Sequence, residues 1–237
     1  MHKLYCIQIV VQNNFMKFHL VVIISCVLYL QSNAQNHFHV YGGINVRDFR
    51  FPDNPYDFNE LYNPGIGAHI GLLTEIPLSQ KLFLRPQLQF IQRGSHFENV
   101  NTNTEATTNL IYTELPILLG YHIGKPFSLA IGPSIGYMLY GYNRFEGVNN
   151  ELKNFPENDF DFGVSSTFGW KPFERWTFLI TCYYGITAIH AYDVFNTQTY
   201  DVMPVSFANV SLQLSAAYEF PSKKPNVRIP KTRVKEK

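Results

Sequence analysis

The sequence predicts an all-β fold, an eight-stranded antiparallel up-and-down transmembrane β-barrel with short turns at one end and long loops at the other. Three observations predict it. Apolar residues alternate with small or polar ones over long segments, which is the period of a β-strand. These segments reach the roughly 9–11 residues that a tilted strand needs to cross a bilayer. The connections between the segments alternate in length, as they do in membrane barrels.

The clearest segment is 109–142, which is predicted to form two long strands joined by a tight turn. The first strand has an apolar face at alternate positions from Ile111 to Ile123, and Glu114 lies on its opposite face. The second has an apolar face from Leu129 to Leu139, opposite a mostly small face that runs from Ala130 to Tyr140. One apolar face and one small or polar face suit a wall with lipid outside and a filled interior.

Six further segments show the same alternation. They are 37–46, 65–76, 82–94, 159–170, 176–189 and 204–220. The connections 77–81, 124–127 and 171–175 are short, and the connections 47–64, 95–108, 143–157 and 190–203 are long and polar. In barrels of this type the short turns face the periplasm and the long loops face outside. Trp170 and Trp176 flank one short turn, where an aromatic girdle is expected.

The N-terminus has the features of an export signal. Lys17 precedes an apolar run from Leu20 to Leu30, and Ser32-Asn33-Ala34 offers small residues where a signal peptidase cleaves. We therefore predict that residues 1–34 are an upstream extension and signal peptide, with Met16 as the true start, and that the mature chain begins at Gln35. The alternative is an uncleaved N-terminal anchor, which the short apolar run disfavours.

Charge and cysteine content divide the chain further. Residues 221–237 carry seven Lys or Arg and one Glu, a net charge of +6, although the whole chain has a net charge of only +1. Three prolines and this charge predict a flexible basic C-terminal tail after a barrel of residues 35–220.

Cys6 and Cys26 precede the predicted cleavage site, so Cys182 is left without an internal disulfide partner and is interpreted as a small apolar residue.

Three stretches resemble the PorT-like outer-membrane β-barrel domain proteins of Bacteroidota. They are Leu84-Arg85-Pro86-Gln87-Leu88-Gln89-Phe90-Ile91-Gln92-Arg93-Gly94, Leu110-Ile111-Tyr112-Thr113-Glu114-Leu115-Pro116-Ile117-Leu118-Leu119-Gly120-Tyr121 and Ala130-Ile131-Gly132-Pro133-Ser134-Ile135-Gly136-Tyr137. The similarity covers roughly residues 37–220. It implies a location in the cell outer membrane and a porin-like fold, and it implies no particular activity.

If the apolar faces meet lipid, a set of polar side chains points inward. The set is Glu75, Arg85, Gln87, Gln89, Glu114 and Asp161, together with Gln213 and Glu219. Eight strands leave an interior that side chains just fill, so no open pore is expected. Buried charges must pair. Arg85 lies on the strand between those of Glu75 and Glu114, and we predict a structural network that includes a pair with Glu114. A proton- or substrate-handling site is the other interpretation.

Sequence motifs for catalysis or metal binding are weak. His190 and Asp193 fall in one outer connection, but no spacing joins them to a serine as lipid-modifying chemistry would require. His37 and His39 form only a two-residue motif. We therefore predict that the chain is not an enzyme and has no cofactor, no metal site and no nucleic-acid partner.

The function that follows is structural or interactive, with outer-membrane lipid as one partner and an anionic periplasmic or cell-wall component as a candidate partner of the tail. A small-solute binding barrel or narrow channel in the outer membrane is the alternative. A soluble secreted barrel, which would invert the alternation, is the rival fold. Partitioning into detergent and heat-modifiable gel migration would separate the membrane barrel from the soluble one.

Overall fold

A computed structural model describes residues 37–51, 62–99, 104–145, 148–151, 159–188, 190–195 and 202–221. The predicted signal peptide and nearly all of the predicted tail lie outside these residues. The described residues form twelve strands. They are β1 (His37–Arg50), β2 (Tyr62–Asn63), β3 (Gly65–Pro77), β4 (Leu82–Arg93), β5 (His96–Asn99), β6 (Thr104–His122), β7 (Phe127–Phe145), β8 (Val148–Glu151), β9 (Phe160–Trp170), β10 (Trp176–Gly185), β11 (His190–Phe195) and β12 (Val202–Glu219). None of the described residues forms a helix long and apolar enough to cross a membrane.

Eight of the strands close into a ring, in the order β1, β3, β4, β6, β7, β9, β10 and β12, and every neighbouring pair is antiparallel. The ring closes where β1 pairs with β12, from His39 opposite Glu219 to Arg50 opposite Ala208. Closure satisfies the backbone hydrogen bonds without leaving an edge, which a sheet in lipid requires. The predicted eight-stranded antiparallel barrel is confirmed.

The inward and outward faces follow the sequence alternation. In β10 the side chains alternate strictly between exposed and buried, and β9 does nearly the same. The exposed set is large and apolar, and it includes Ile70, Leu119, Ile131, Ile180 and Leu214. Apolar residues outside and polar residues inside are the reverse of a soluble barrel, so the rival fold does not describe this chain.

The strands reach further toward the loop end than the sequence predicted. β6 begins at Thr104 and β7 ends at Phe145, inside connections that had been predicted as loops, and four short strands add to this end. The alternation of apolar residues stops earlier because the extensions of β6 and β7 are mostly polar, which matches a sheet that continues above the lipid. Backbone pairing does not depend on apolar side chains, so the pattern did not mark these strand ends.

A β-bulge in β7 exchanges the inward and outward positions of the residues that follow it. Opposite β6 the register passes from Tyr140 facing Ile111 to Met138 facing Tyr112, so Leu139 is an extra residue. Leu139 and Tyr140 are both exposed on the outer face. The sequence prediction that Tyr140 shares the inner face is therefore wrong, because a bulge shifts the alternation by one residue.

Three prolines interrupt the barrel wall on neighbouring strands. The paired residues skip two rungs between β3 and β4 beside Pro86, two between β4 and β6 at Pro116, and two between β6 and β7 at Pro133. Proline has no N–H to donate to a ladder. The three prolines lie on neighbouring strands, one in each of the three stretches that carry the family resemblance, and each lies beside a gap in the backbone pairing.

Candidate functional site

The interior of the barrel is a column of polar side chains. Of the predicted inward residues, six are buried, and Glu75 and Glu219 are mostly buried near the short-turn end. The six are Arg85, Gln87, Gln89, Glu114, Asp161 and Gln213. The structure therefore places every one of them inside, although it divides them among several levels of the barrel.

The level nearest the short turns is built on Arg85. Its Nη2 donates to Glu75 Oε1 at 2.6 Å, and Nε donates to the same oxygen at 3.1 Å. The guanidinium also stacks on Phe83, with 4.8 Å between its carbon and the ring centroid. Beside this pair, Lys171 Nζ lies 2.5 Å from Glu219 Oε2, and His39 Nε2 lies 3.6 Å from the same oxygen. This end of the lumen is closed by paired charges.

The predicted pairing of Arg85 with Glu114 is wrong. The register of β4 and β6 sets Arg85 opposite Leu118, whereas Gln89 stands opposite Glu114. Arg85 and Arg93 lie four residues, about 13 Å of strand, on either side of Gln89, and of these two arginines Arg93 is the one that reaches Glu114. Adjacent strands therefore did not show which charges meet, because the tilt and stagger of the strands decide which long side chains come together in the lumen.

Glu114 belongs to a second cluster that is centred on Arg93. The guanidinium of Arg93 forms a salt bridge with Glu114, and its Nη1 donates to Ser211 Oγ at 3.1 Å. Glu114 also accepts from Gln89 Nε2 at 3.1 Å and from Ser134 Oγ at 2.5 Å. Arg93 and Glu114 are both 1% exposed, so the pair is removed from solvent.

The same guanidinium reaches the far wall. Its carbon lies 3.6 Å from the ring centroid of Tyr183, and Nε lies 3.9 Å from Asp161 Oδ2. Asp161 accepts in turn from Asn209 Nδ2 at 2.8 Å. Arg93 is on β4 and Tyr183 on β10, which stand four strands apart in either direction around the ring. One side chain thus spans the lumen.

Sequence reasoning did not select Arg93, although a signal was present. The alternation that puts Arg85, Gln87 and Gln89 inside also puts Arg93 inside, at the end of the same strand. Tyr183 and Asn209 carry the same signal on β10 and β12. The alternation could not show that the side chains of Arg93 and Tyr183, on opposite strands, are close enough to touch.

A third level lies at the loop end and is built on Arg47. Nη1 donates to the carbonyls of Arg93 at 2.5 Å and Thr108 at 2.9 Å, and Nη2 donates to Asn109 Oδ1 at 2.7 Å. The guanidinium is 3% exposed and binds backbone oxygens instead of a carboxylate. It joins β1 to β6 across the mouth of the barrel.

Histidines and metal ligands give no catalytic arrangement among the described residues. His69 Nε2 lies 2.7 Å from Ser215 Oγ, a buried hydrogen bond on the inner wall. Within the described ranges, no group of three or more His, Cys, Asp and Glu could hold a metal ion. His190 and Asp193 are in a strand, β11, that pairs with β12, and not in a loop as predicted.

A closed ring of eight strands, apolar outside and filled with paired polar groups, defines a small transmembrane β-barrel. The sequence profile of the outer membrane protein beta-barrel domain family matches residues 31–191, more than half of the chain. The protein belongs to this family of outer-membrane barrels. No curated protein sequence matches the chain.

Solved structures with a similar arrangement are remote in sequence. Neisserial surface protein A has 10% identity and a TM-score of 0.48, covering 77% of this chain and 97% of that chain. Ail of Yersinia pestis has 10% identity and a TM-score of 0.42, covering 78% and 99%. OprG from Pseudomonas aeruginosa has 11% identity and a TM-score of 0.42, covering 80% and 97%.

Proposed function

We propose that this outer-membrane barrel does not conduct solutes and that it acts through structure or interaction at its two ends. The observation that carries the proposal is the contact of Arg93 with Tyr183 on the opposite strand, because a side chain that crosses the lumen blocks it. A non-catalytic role is part of the same proposal. It is supported by the family's character as barrel proteins and by the absence of a metal-binding cluster among the described residues.

Two other levels support a closed lumen. Below the Arg93 cluster, the hydroxyl of Tyr41 donates to Gln89 Oε1 at 2.9 Å and lies 3.1 Å from Gln87 Oε1, two strands away around the ring. Tyr41 packs there with Leu73, Leu179 and Ala217. Above the cluster, Arg47 binds the carbonyls of β4 and β6. A solute would have to displace three successive layers of bonded side chains.

Planar-bilayer recordings test the closed barrel. The purified protein is expected to give no reproducible ion-selective openings. A variant with Arg93→Ala and Tyr183→Ala, checked for heat-modifiable gel migration, removes the two side chains that meet across the lumen and should conduct. Lys171→Ala serves as the control, because Lys171 is a partly exposed residue at the short-turn end, and this variant should show no conductance. Steady selective openings of the unmodified protein would support the narrow channel instead.

The finer assignment is also a proposal. We infer that the protein is a PorT-like member from Bacteroidota, on the strength of the three proline-containing stretches. We infer as well that it is exported by a signal peptide within residues 1–34 and that residues 35–220 form the mature barrel. N-terminal sequencing of the protein purified from membranes would identify the first mature residue, which is expected to be Gln35.

The short-turn end offers a surface for an anionic partner. Lys81, Lys125 and Arg175 are exposed on the three short turns, and Glu174 is the exposed carboxylate among them. Glu75 and Glu219 are occupied by Arg85 and Lys171. The basic tail, outside the described residues except for Pro221, would begin at this same end. We propose that the turns and the tail together attract an anionic component of the cell wall.

Deleting residues 222–237 is expected to leave barrel assembly intact and to abolish a salt-sensitive association with the cell-wall fraction. The attraction is screened over roughly 8–10 Å at physiological salt, so raising the salt concentration should release the full-length protein. Co-sedimentation with purified cell wall at low and high salt measures it. Equal sedimentation of full-length and truncated protein at low salt would reduce the tail to a passive extension.

A further inference from the structure

A groove of 510 Å³ crosses the outer surface of the barrel wall close to the short-turn end. It runs over β4, β6, β7, β9 and β10, beginning at Leu82 and Tyr121 and ending at Ser166 and Cys182. Its exposed surface is almost wholly apolar, and most of its lining belongs to the exposed, lipid-facing set, whereas Gly120, Ala130 and Thr167 are buried in the wall beneath it. The groove is therefore a feature of the surface that meets the bilayer, separate from the polar interior.

Side-chain size explains the groove. One row of cross-strand neighbours is large, with Leu129 opposite Phe168 and Phe168 opposite Ile180. In the adjoining row Ile131 stands opposite Ser166, and Ser166 stands opposite Cys182. Two small side chains beside a ridge of large ones leave a trough in the wall. Its volume and apolar lining suit a hydrocarbon chain.

The groove lies in the periplasmic half of the membrane. Ser166 is four residues from Trp170, which ends β9 at the short turn, so about 13 Å of strand separates the two, or about 10 Å of depth at the usual strand tilt. Half of a hydrocarbon core is roughly 15 Å thick. The trough therefore extends from the interface through most of one leaflet.

Two cations stand at the interfacial end of the groove. Lys81 Nζ lies 5.8 Å from the ring centroid of Tyr121, which lines the groove, and this contact holds the ammonium above it. His122 N donates to Lys81 O at 2.8 Å, so the turn that carries Lys81 adjoins the turn that carries Lys125. Both lysines are exposed. A phosphate at the interface would therefore lie beside two neighbouring turns that each carry an exposed lysine.

We propose that this surface is a binding site for one anionic phospholipid of the periplasmic leaflet. An acyl chain occupies the trough over Ser166 and Cys182, and the headgroup phosphate lies between Lys81 and Lys125. The charge of the two lysines complements the phosphate, and the trough extends through most of a single leaflet. The site shares Lys81 and Lys125 with the surface proposed for the cell wall, but it does not depend on whether the lumen is closed or on the tail, so lipid binding is tested separately from both.

Native mass spectrometry of the detergent-purified full chain tests the site, with phosphatidylglycerol and phosphatidylcholine of identical chains as probes. The protein is expected to bind one phosphatidylglycerol saturably and more tightly than phosphatidylcholine. Lys81→Ala with Lys125→Ala should weaken phosphatidylglycerol binding by about tenfold, since each lysine near the headgroup contributes to the attraction. Ser166→Leu should weaken binding of both lipids by filling the trough.

Matched variants separate a site from general attraction. Arg175→Ala removes a charge from the same rim, where the guanidinium donates to Tyr218 Oη of β12 at 3.3 Å. Ala68→Leu adds the same bulk as Ser166→Leu at an exposed position of β3. Both should bind phosphatidylglycerol as the unmodified protein does. Equal binding of the two lipids, equal losses in Arg175→Ala, or no effect of Ser166→Leu would overturn the proposal. A dimer that Ser166→Leu abolishes would also overturn it, because a second barrel would then occupy the groove.

Discussion

Replacing Arg93 with alanine is expected to lower the free energy of unfolding by about 3–5 kcal/mol, the usual result of leaving one member of a buried ion pair without its partner. Glu114 would keep its bonds from Gln89 and Ser134 but would lose its counter-charge in a site that is 1% exposed. Asp161 would lose the same cation. Urea unfolding of the refolded barrel in lipid vesicles, followed by Trp170 and Trp176 fluorescence, measures the change.

A double-mutant cycle isolates the pair. Arg93→Met together with Glu114→Gln should be less destabilised than the sum of the two single variants, with a coupling energy of at least about 1.5 kcal/mol. Lys171→Met is the control, because Lys171 is 36% exposed and its pair with Glu219 is screened by solvent. That variant should cost about 1 kcal/mol or less. Losses that simply add in the double mutant would show that the two side chains act independently.

Replacing Gly94 with alanine is expected to cost about 2–4 kcal/mol, from a strained backbone together with an overpacked contact. Gly94 follows β4 with φ of 114°, a conformation that L-residues rarely adopt. A β-carbon there would lie 2.1 Å from Thr108 O and 2.8 Å from Arg47 Nη1. The substitution would therefore also displace the guanidinium that joins β1 to β6. The same unfolding assay measures the loss.

Gly65→Ala provides the comparison at the same arginine. A β-carbon on Gly65 would lie 3.4 Å from Arg47 Nε, an ordinary contact, and Gly65 is not among the described glycines with a positive φ. This variant should stay within about 0.5–1 kcal/mol of the unmodified protein. Similar losses in both variants would mean that the conformation of Gly94 does not hold the arrangement around Arg47.

Much of the barrel was predictable because the two faces of its wall meet different environments, lipid outside and a polar interior inside. Lipid outside demands apolar side chains, and a narrow interior takes polar or small ones, so the alternation in β4 identified Arg85, Gln87 and Gln89 as inward. The same rule places Arg93 inside, and it fails where the backbone departs from strict alternation. The bulge at Leu139 is such a place, since one extra residue sent Tyr140 to the outer face.

The pairing of charges was not predictable from alternation. Alternation assigns a side chain to the inner or the outer face, but it does not give the position of that side chain along the barrel axis or its distance from other side chains. The stagger and tilt of neighbouring strands decided that Glu75 meets Arg85 and that Glu114 meets Arg93. Curvature of the closed sheet decided that Arg93 reaches Tyr183 on the opposite strand. Neither the stagger of the strands nor the curvature of the sheet can be read from the spacing of residues in one strand, since both arise from how eight strands are arranged around a ring.

The sequence by itself determined the strand number, the inner and outer faces and the end that carries the short turns, because each follows from local alternation and turn residues. The tertiary structure alone decided which buried charges are partners, where the lumen is blocked and where small side chains on neighbouring strands align into a groove. Those features depend on contacts between residues remote in the chain, and only the register of the closed barrel brings such residues together.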